Sequence, residues 1–248
     1  MSELPERYRS RFVDGVELAF RCKGGDESKP FIDVLAGDPD AAWLRSVLGK
    51  HWPDVSLARF LRREPPGDEA IADQHVLGGM VSELRARPPV AIPAGFVVRR
   101  ARGGDDLAPY GAAMERFRAA SPLGAEVWPC SPDDFVRAAE HGVIVIAEGP
   151  RGWAGVAACA PDVIAAWSGQ VMLELFVHER ARGQRLAPAL QRAVIDRLDP
   201  EVQLIGTIHA ANAPSLATAL RCGRSILATY WWLPLEPATW LDGELATG

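Results

Sequence analysis

Between Glu174 and Leu190 the chain reads ELFVHERARGQRLAPAL, an apolar strand, a basic turn with one glycine, and an amphipathic helix. A helix that begins just past a strand end leaves its first backbone N–H groups without intrahelical partners. It also presents the positive end of its dipole, so such a turn suits phosphate whatever its side chains. Gly183 lets the backbone come close to a ligand, and Arg180, Arg182 and Arg185 add charge-assisted donors. Pro188 is tolerable only in the first helical turn, which puts the helix start near Gln184 to Leu186. The N–H groups of Gln184, Arg185, Leu186 and Ala187 then face the turn. Many strand–loop–helix units are purely structural, so the residues alone leave phosphate binding and simple scaffolding both open.

Glu174 interrupts an otherwise apolar strand, VMLELFV from Val171 to Val177. Burial there raises the pKa of a carboxyl toward the range of a useful base. Two other roles compete: a partnered structural carboxylate and a substrate-binding group. His178 and His209 lie at adjacent strand ends and are further base candidates, with a structural or solvated role as the alternative. Downstream, NAPSLATALRCGR runs from Asn212 to Arg224, a helix N-cap with proline just inside.

Together these two segments resemble the acyl-CoA-binding segments of the GCN5-related N-acetyltransferase (GNAT) superfamily. Its strand and pyrophosphate loop typically read E-L-x-V, a few residues, then R-G-x-G-x-G or A, with a later leucine. Glu174-Leu175-Phe176-Val177 and Arg182-Gly183-Gln184-Arg185-Leu186-Ala187 fall in that register, with Leu190 as the later leucine. The resemblance implies acetyl-CoA as co-substrate, its pyrophosphate on residues 182–187. The splayed strand end at Phe176 and Val177 would hold pantetheine and the thioester carbonyl, and Asn212 and Ser215 would lie near the pantetheine arm. Asn212 stands eleven residues before Gly223, the family spacing. Three positions depart from the pattern. Arg185 replaces the middle small residue, Arg224 replaces the aromatic residue after the glycine, and Ala219 occupies the slot of the tyrosine that protonates the departing thiolate. Tyr230, Cys222 or a water would then serve as the acid, or the thiolate would leave unassisted. Glu174 is the base the resemblance implies.

With 248 residues, 48% of them hydrophobic, the chain has ample material for a core. A net charge of -5 argues against a dedicated nucleic-acid partner. Cys22, Cys130, Cys159 and Cys222 lie far apart without ligand spacing, so neither a metal site nor a disulfide framework is expected. The start, MSELPERYRS, lacks an apolar stretch, and no run approaches the ~18 residues of a membrane span. The expectation is a cytoplasmic protein with no membrane partner, and general frequency favours a homodimer.

The segment PPVAIPAG, Pro88–Gly95, disfavours regular structure and is the best internal boundary. It gives an N-terminal region over 1–94 of unassigned role and a GNAT-like domain over 95–248. The first region carries candidate strands at 16–20 and 31–35, a helix after Asp38 and Asp40, and a second helix over Gln74–Arg87. The second reads as a strand at Phe96–Arg99, helices over 105–120 and 132–140, and a hairpin 143–149/153–159. A strand to 177, a helix to about 198, a strand 202–208, a helix 213–222 and a final strand or strand pair over 226–235 complete it. Leu107, Tyr110, Met114 and Phe117 form the apolar stripe of the first of these helices. This order points to α+β with a mixed, mostly antiparallel central sheet flanked by helices. Trp128, in the loop that follows, is a candidate wall for an acceptor pocket.

The expected function is transfer of an acetyl group to a primary amine of a small molecule or peptide. Its rivals are a non-catalytic CoA-binding regulatory module, an acyltransferase using a longer acyl-CoA, and a structural domain with no nucleotide site.

Overall fold

The computed structural model describes residues 10–23, 26–122, 124 and 127–235. They divide into two compact units, one taking the chain up to His75 together with the stretch from Ala228, the other running from Val76 to Leu227. The sequence puts the division at 94/95 instead. The proline-rich segment is irregular as expected, but it lies inside the second unit.

The first unit contains β1 (Ser10–Val13), β2 (Val16–Cys22), β3 (Pro30–Ala36), α1 (Ala41–His51), β4 (Leu57–Arg62) and the first half of β5 (Ile71–Met80). β1, β2 and β3 pair antiparallel in sequence, and β3 pairs parallel with β4. α1 is the crossover that a parallel pair requires. Its inward stripe, Leu44, Val47 and Leu48, packs on Leu18, Phe20, Ile32 and Phe60. β5 is a correction to the sequence reading, which has a helix over Gln74–Arg87. Strand continues to Met80, and only α2 (Val81–Ala86) is helical. The glycine pair explains this. A Cβ at Gly78 would stand 2.7 Å from the Leu227 Cδ1 and 3.1 Å from the Ile205 Cγ2, so a side chain there would have to displace its packed neighbours. Gly is also among the weakest helix formers.

The second unit adds β6 (Val97–Arg100), α3 (Ala108–Ala120), α4 (Pro132–His141), β7 (Val143–Gly149), β8 (Gly152–Ile164), β9 (Trp167–Val177), α5 (Leu186–Ile195), β10 (Gln203–His209) and α6 (Ala213–Arg221). β6 through β9 pair antiparallel in sequence, whereas β9 and β10 are parallel. β8 and β9 extend to a second tight hairpin at Ile164–Trp167 that the sequence reading stops short of. Alternation along β7 separates the two faces of the sheet. Val143, Val145 and Ala147 pack with Leu186, Leu190 and Val194 of α5, while Ile144 and Ile146 pack with Tyr110, Met114 and Phe135 of α3 and α4. Ser131 caps α4 in a capping box with Asp134. The last strand, β11 (Ser225–Pro234), pairs over Thr229–Pro234 antiparallel with β4 in the first unit.

Candidate functional site

β9 is where the second unit departs from regular pairing. Its parallel ladder with β10 joins Gln170 to Leu204 and Val171 to Ile205 and ends there. On the other edge, Met172 pairs with Cys159 and Glu174 with Ala158, which leaves Leu173 as a bulge. A bulge bends its strand and re-aims side chains. β9 and β10 thus part beyond Val171, and Phe176 and Val177 lie on the freed stretch. Phe176 is buried, edge-on to Tyr110 and Phe117 and stacked on Trp153.

The chain leaves β9 through a 3-10 turn at Glu179–Ala181 and enters α5 at Leu186. Gly183 has φ 76° and Arg185 φ 60°, both left-handed. That conformation suits glycine and strains a side-chain-bearing residue. Arg185 therefore stands in a backbone shape that suits a smaller residue. The Arg185 side chain makes no capping bond at the start of α5. Its first N–H groups, facing an exposed turn, lack intrahelical acceptors by the geometry of a helix start. Arg180 is committed to the Trp153 carbonyl (2.9 Å), and Arg182 donates to the Val177 carbonyl (3.1 Å) with its guanidinium 4.7 Å above the Phe117 ring. Gln184 Nε2 donates to the Arg180 carbonyl. Beside the turn, Gln184, Arg185, Pro188 and Arg221 line a cavity of about 860 Å³ with the proline-rich segment.

Glu174 is held by two donors. Tyr110 O–H donates to Oε2, and the backbone N–H of Leu175 donates to Oε1 at 2.9 Å. The Tyr110 oxygen in turn accepts from the Cys130 N–H at 3.0 Å. Burial pushes the pKa of Glu174 up, opposed by the hydrogen bonds from Tyr110 and Leu175, and burial likewise pushes the Cys130 thiol up to about 12. Tyr110 and Cys130 are parts of the site that sequence reasoning missed. A tyrosine in an otherwise apolar stripe was the available signal, since a buried hydroxyl usually finds a partner. Tyr110 also lines an apolar cavity of about 810 Å³ with Leu107, Met114 and Phe135.

The remaining expected residues fall elsewhere. Asn212 Oδ1 accepts from the Ser215 N–H at 3.2 Å, so Asn212 caps α6. Ala219 is fully buried on α6. His178 accepts from the Arg180 N–H, and burial followed by the charge of Arg180 lowers its pKa. His209 accepts from the Ala211 N–H. Trp128 is 68% exposed. Tyr230 belongs to the first unit, where its ring lies 4.8 Å from the Arg59 guanidinium and burial raises its pKa.

No family model matches the chain, and no curated protein does. Solved structures do match. A GCN5-related N-acetyltransferase from Kribbella flavida is 12% identical at a TM-score of 0.57, covering 95% of this chain and 92% of its own. One from Sphaerobacter thermophilus is 14% identical at 0.52, covering 90% and 78%. A tandem GNAT protein from the clavulanic acid biosynthesis pathway is 17% identical at 0.50, covering 90% and 79%. The likeness is one of fold: the chain has the GCN5-related N-acetyltransferase fold, an α+β open sheet, mixed and mostly antiparallel, flanked by helices.

Proposed function

We propose that this chain transfers an acetyl group from acetyl-CoA to a primary amine of a small molecule or peptide. The observation that carries the reading is the uncapped start of α5, set at the fork where β9 and β10 part. An anion with a long polar tail fits both features. The pyrophosphate takes the N–H groups of residues 184–187, and the pantetheine follows the freed backbone of β9 into the fork. We place the body of the acceptor in the cavity lined by Tyr110. Glu174, with its pKa raised by burial, takes the ammonium proton directly or through water. Tyr110 and the Leu175 N–H fix the carboxylate meanwhile.

Calorimetric titration with acetyl-CoA, beside ATP as control, tests the donor site. Acetyl-CoA binds and ATP does not, and Gly183→Val, which puts a branched residue at φ 76°, weakens binding at least about tenfold. No binding at millimolar acetyl-CoA overturns the reading. In an amine screen Glu174→Gln lowers turnover about a hundredfold with donor affinity kept. A base works only when ionised, so activity falls as pH falls through the pKa of Glu174, and that acid limb lies above the ordinary 4.5. Ala219 and Arg185 favour a second reading, a CoA-binding module without turnover. It predicts the same titration and no acetylation of any amine.

A further inference from the structure

Arg224 follows α6 and leads into β11, and it is 4% exposed. Its Nη2 reaches Gln191 Oε1 on α5 at 3.4 Å. Among the described residues, Nε and Nη1 have no hydrogen-bond acceptor, and neither does Gln191 Nε2 beside them. A Cβ built on Gly206 would stand 3.2 Å from Nη1 and 3.0 Å from the Cβ of Met172. Met172 and Gly206 directly follow the last ladder pair, Val171–Ile205. The guanidinium therefore sits at the base of the fork between β9 and β10.

A buried cation without a counter-charge is costly, and one long hydrogen bond to an amide does not offset it. Burial lowers the pKa of Arg224 only to about 10, so it stays charged at neutral pH. Cys222, the group that favours its charge, is itself pushed up by burial and is neutral there. The second unit thus holds a fixed positive charge with open donors at the point where a ligand entering the fork would end. The slot of the family's acid, Ala219, has no proton to give.

We propose that Arg224 is the counter-ion for the thiolate released by acyl transfer; this rests on the acyl-CoA reading above. The acceptor nitrogen bonds to the thioester carbonyl carbon, and the C–S bond breaks with its electron pair on sulfur. The ammonium proton goes to Glu174, which passes it to water before accepting the second proton, shed by the nitrogen as the amide forms; coenzyme A departs as a thiolate beside the guanidinium, which keeps its own protons. Charge that develops on sulfur meets a preorganised donor, and no general acid is required.

Binding of CoA and of desulfo-CoA, measured by calorimetry at pH 7 and pH 9, separates this role from a structural one. Thiolate formation favours CoA alone, so wild-type affinity for CoA rises about tenfold relative to desulfo-CoA across that interval. Arg224→Met abolishes the gain and leaves desulfo-CoA affinity unchanged, while Arg224→Lys keeps part of it. Parallel pH curves for the two ligands in the wild type overturn the proposal, with no need for a folded variant. An undiminished gain in Arg224→Met overturns it too. If neither ligand binds the wild type, the acyl-CoA reading itself falls.

Discussion

In the first unit β3 leads through α1 to its parallel neighbour β4; in the second, β9 leads through α5 to β10 in the same way. The helix starts differ. At α1, Asp40 supplies the cap, its Oδ1 accepting from the Trp43 N–H at 2.7 Å, so the chain's own carboxylate occupies the positive end of the helix. At α5 the cap position is Arg185, left-handed and without a capping bond, with arginines along the turn before it. Two cations, Arg59 partly buried and Arg224 buried, differ in parallel. Arg59 on β4 meets Asp33 on β3 at 2.6 and 3.0 Å; burial pulls its pKa down, and Asp33, with the charges of Asp73 and Tyr230, more than restores it. Among the described residues, Arg224 has only the hydrogen bond to Gln191. The start of α1 and Arg59 find partners within the chain, whereas the start of α5 and the Arg224 guanidinium keep open donors among the described residues. On the function proposed above, that separates a scaffold from a binding site built on similar topology.

Exchanging the caps breaks the comparison most directly. Arg185→Asp places at α5 the residue type that closes α1, and aspartate tolerates the left-handed region better than most residues. The carboxylate competes for the N–H groups and repels a phosphate, so acetyl-CoA affinity falls on the order of a hundredfold by calorimetry. The melting temperature holds. Unchanged affinity would show that the start of α5 is not the anion site.

The reciprocal change is smaller and confined to stability. Asp40→Ala removes the cap of α1 and costs about 1 kcal/mol in urea unfolding, with acetyl-CoA affinity unchanged. An equal loss of donor affinity would mean that the first crossover takes part in binding.

How far the sequence reveals these two crossovers follows from the range of the interactions. The helix starts are local, and Asp40 with the following apolar stripe, or Pro188 with Leu186 and Leu190, place α1 and α5 within a residue or two. The turn between β9 and α5 is legible for the same reason. Tyr110 reads only as one more member of an apolar stripe, because its partner Glu174 is brought to it by the fold and not by sequence proximity. The end of the β9–β10 ladder depends on how two strands diverge, so the residues alone do not show it, and only the family resemblance points to a splayed end at Phe176 and Val177. Arg224 is visible as an oddity beside Gly223, but its burial against Gly206 and Gln191 is not. β5 is misread because the reason for Gly78 lies in Leu227 and Ile205, far along the chain.

Arg185→Gly gives the smallest expected effect and decides which part of the open helix start does the binding. An arginine at φ 60° bears a left-handed strain of about 1 kcal/mol, which glycine removes. Glycine also gives the unfolded chain about 0.5–1 kcal/mol more entropy to lose, so the two terms nearly cancel and unfolding shifts by a few tenths of a kcal/mol. The backbone N–H at 185 is the same in both proteins. If the N–H groups hold the pyrophosphate, affinity for acetyl-CoA changes by less than about threefold, the scale of one exposed charge. A loss of tenfold or more would assign the contact to the guanidinium, and the left-handed arginine would then be a ligand-binding side chain in its own right.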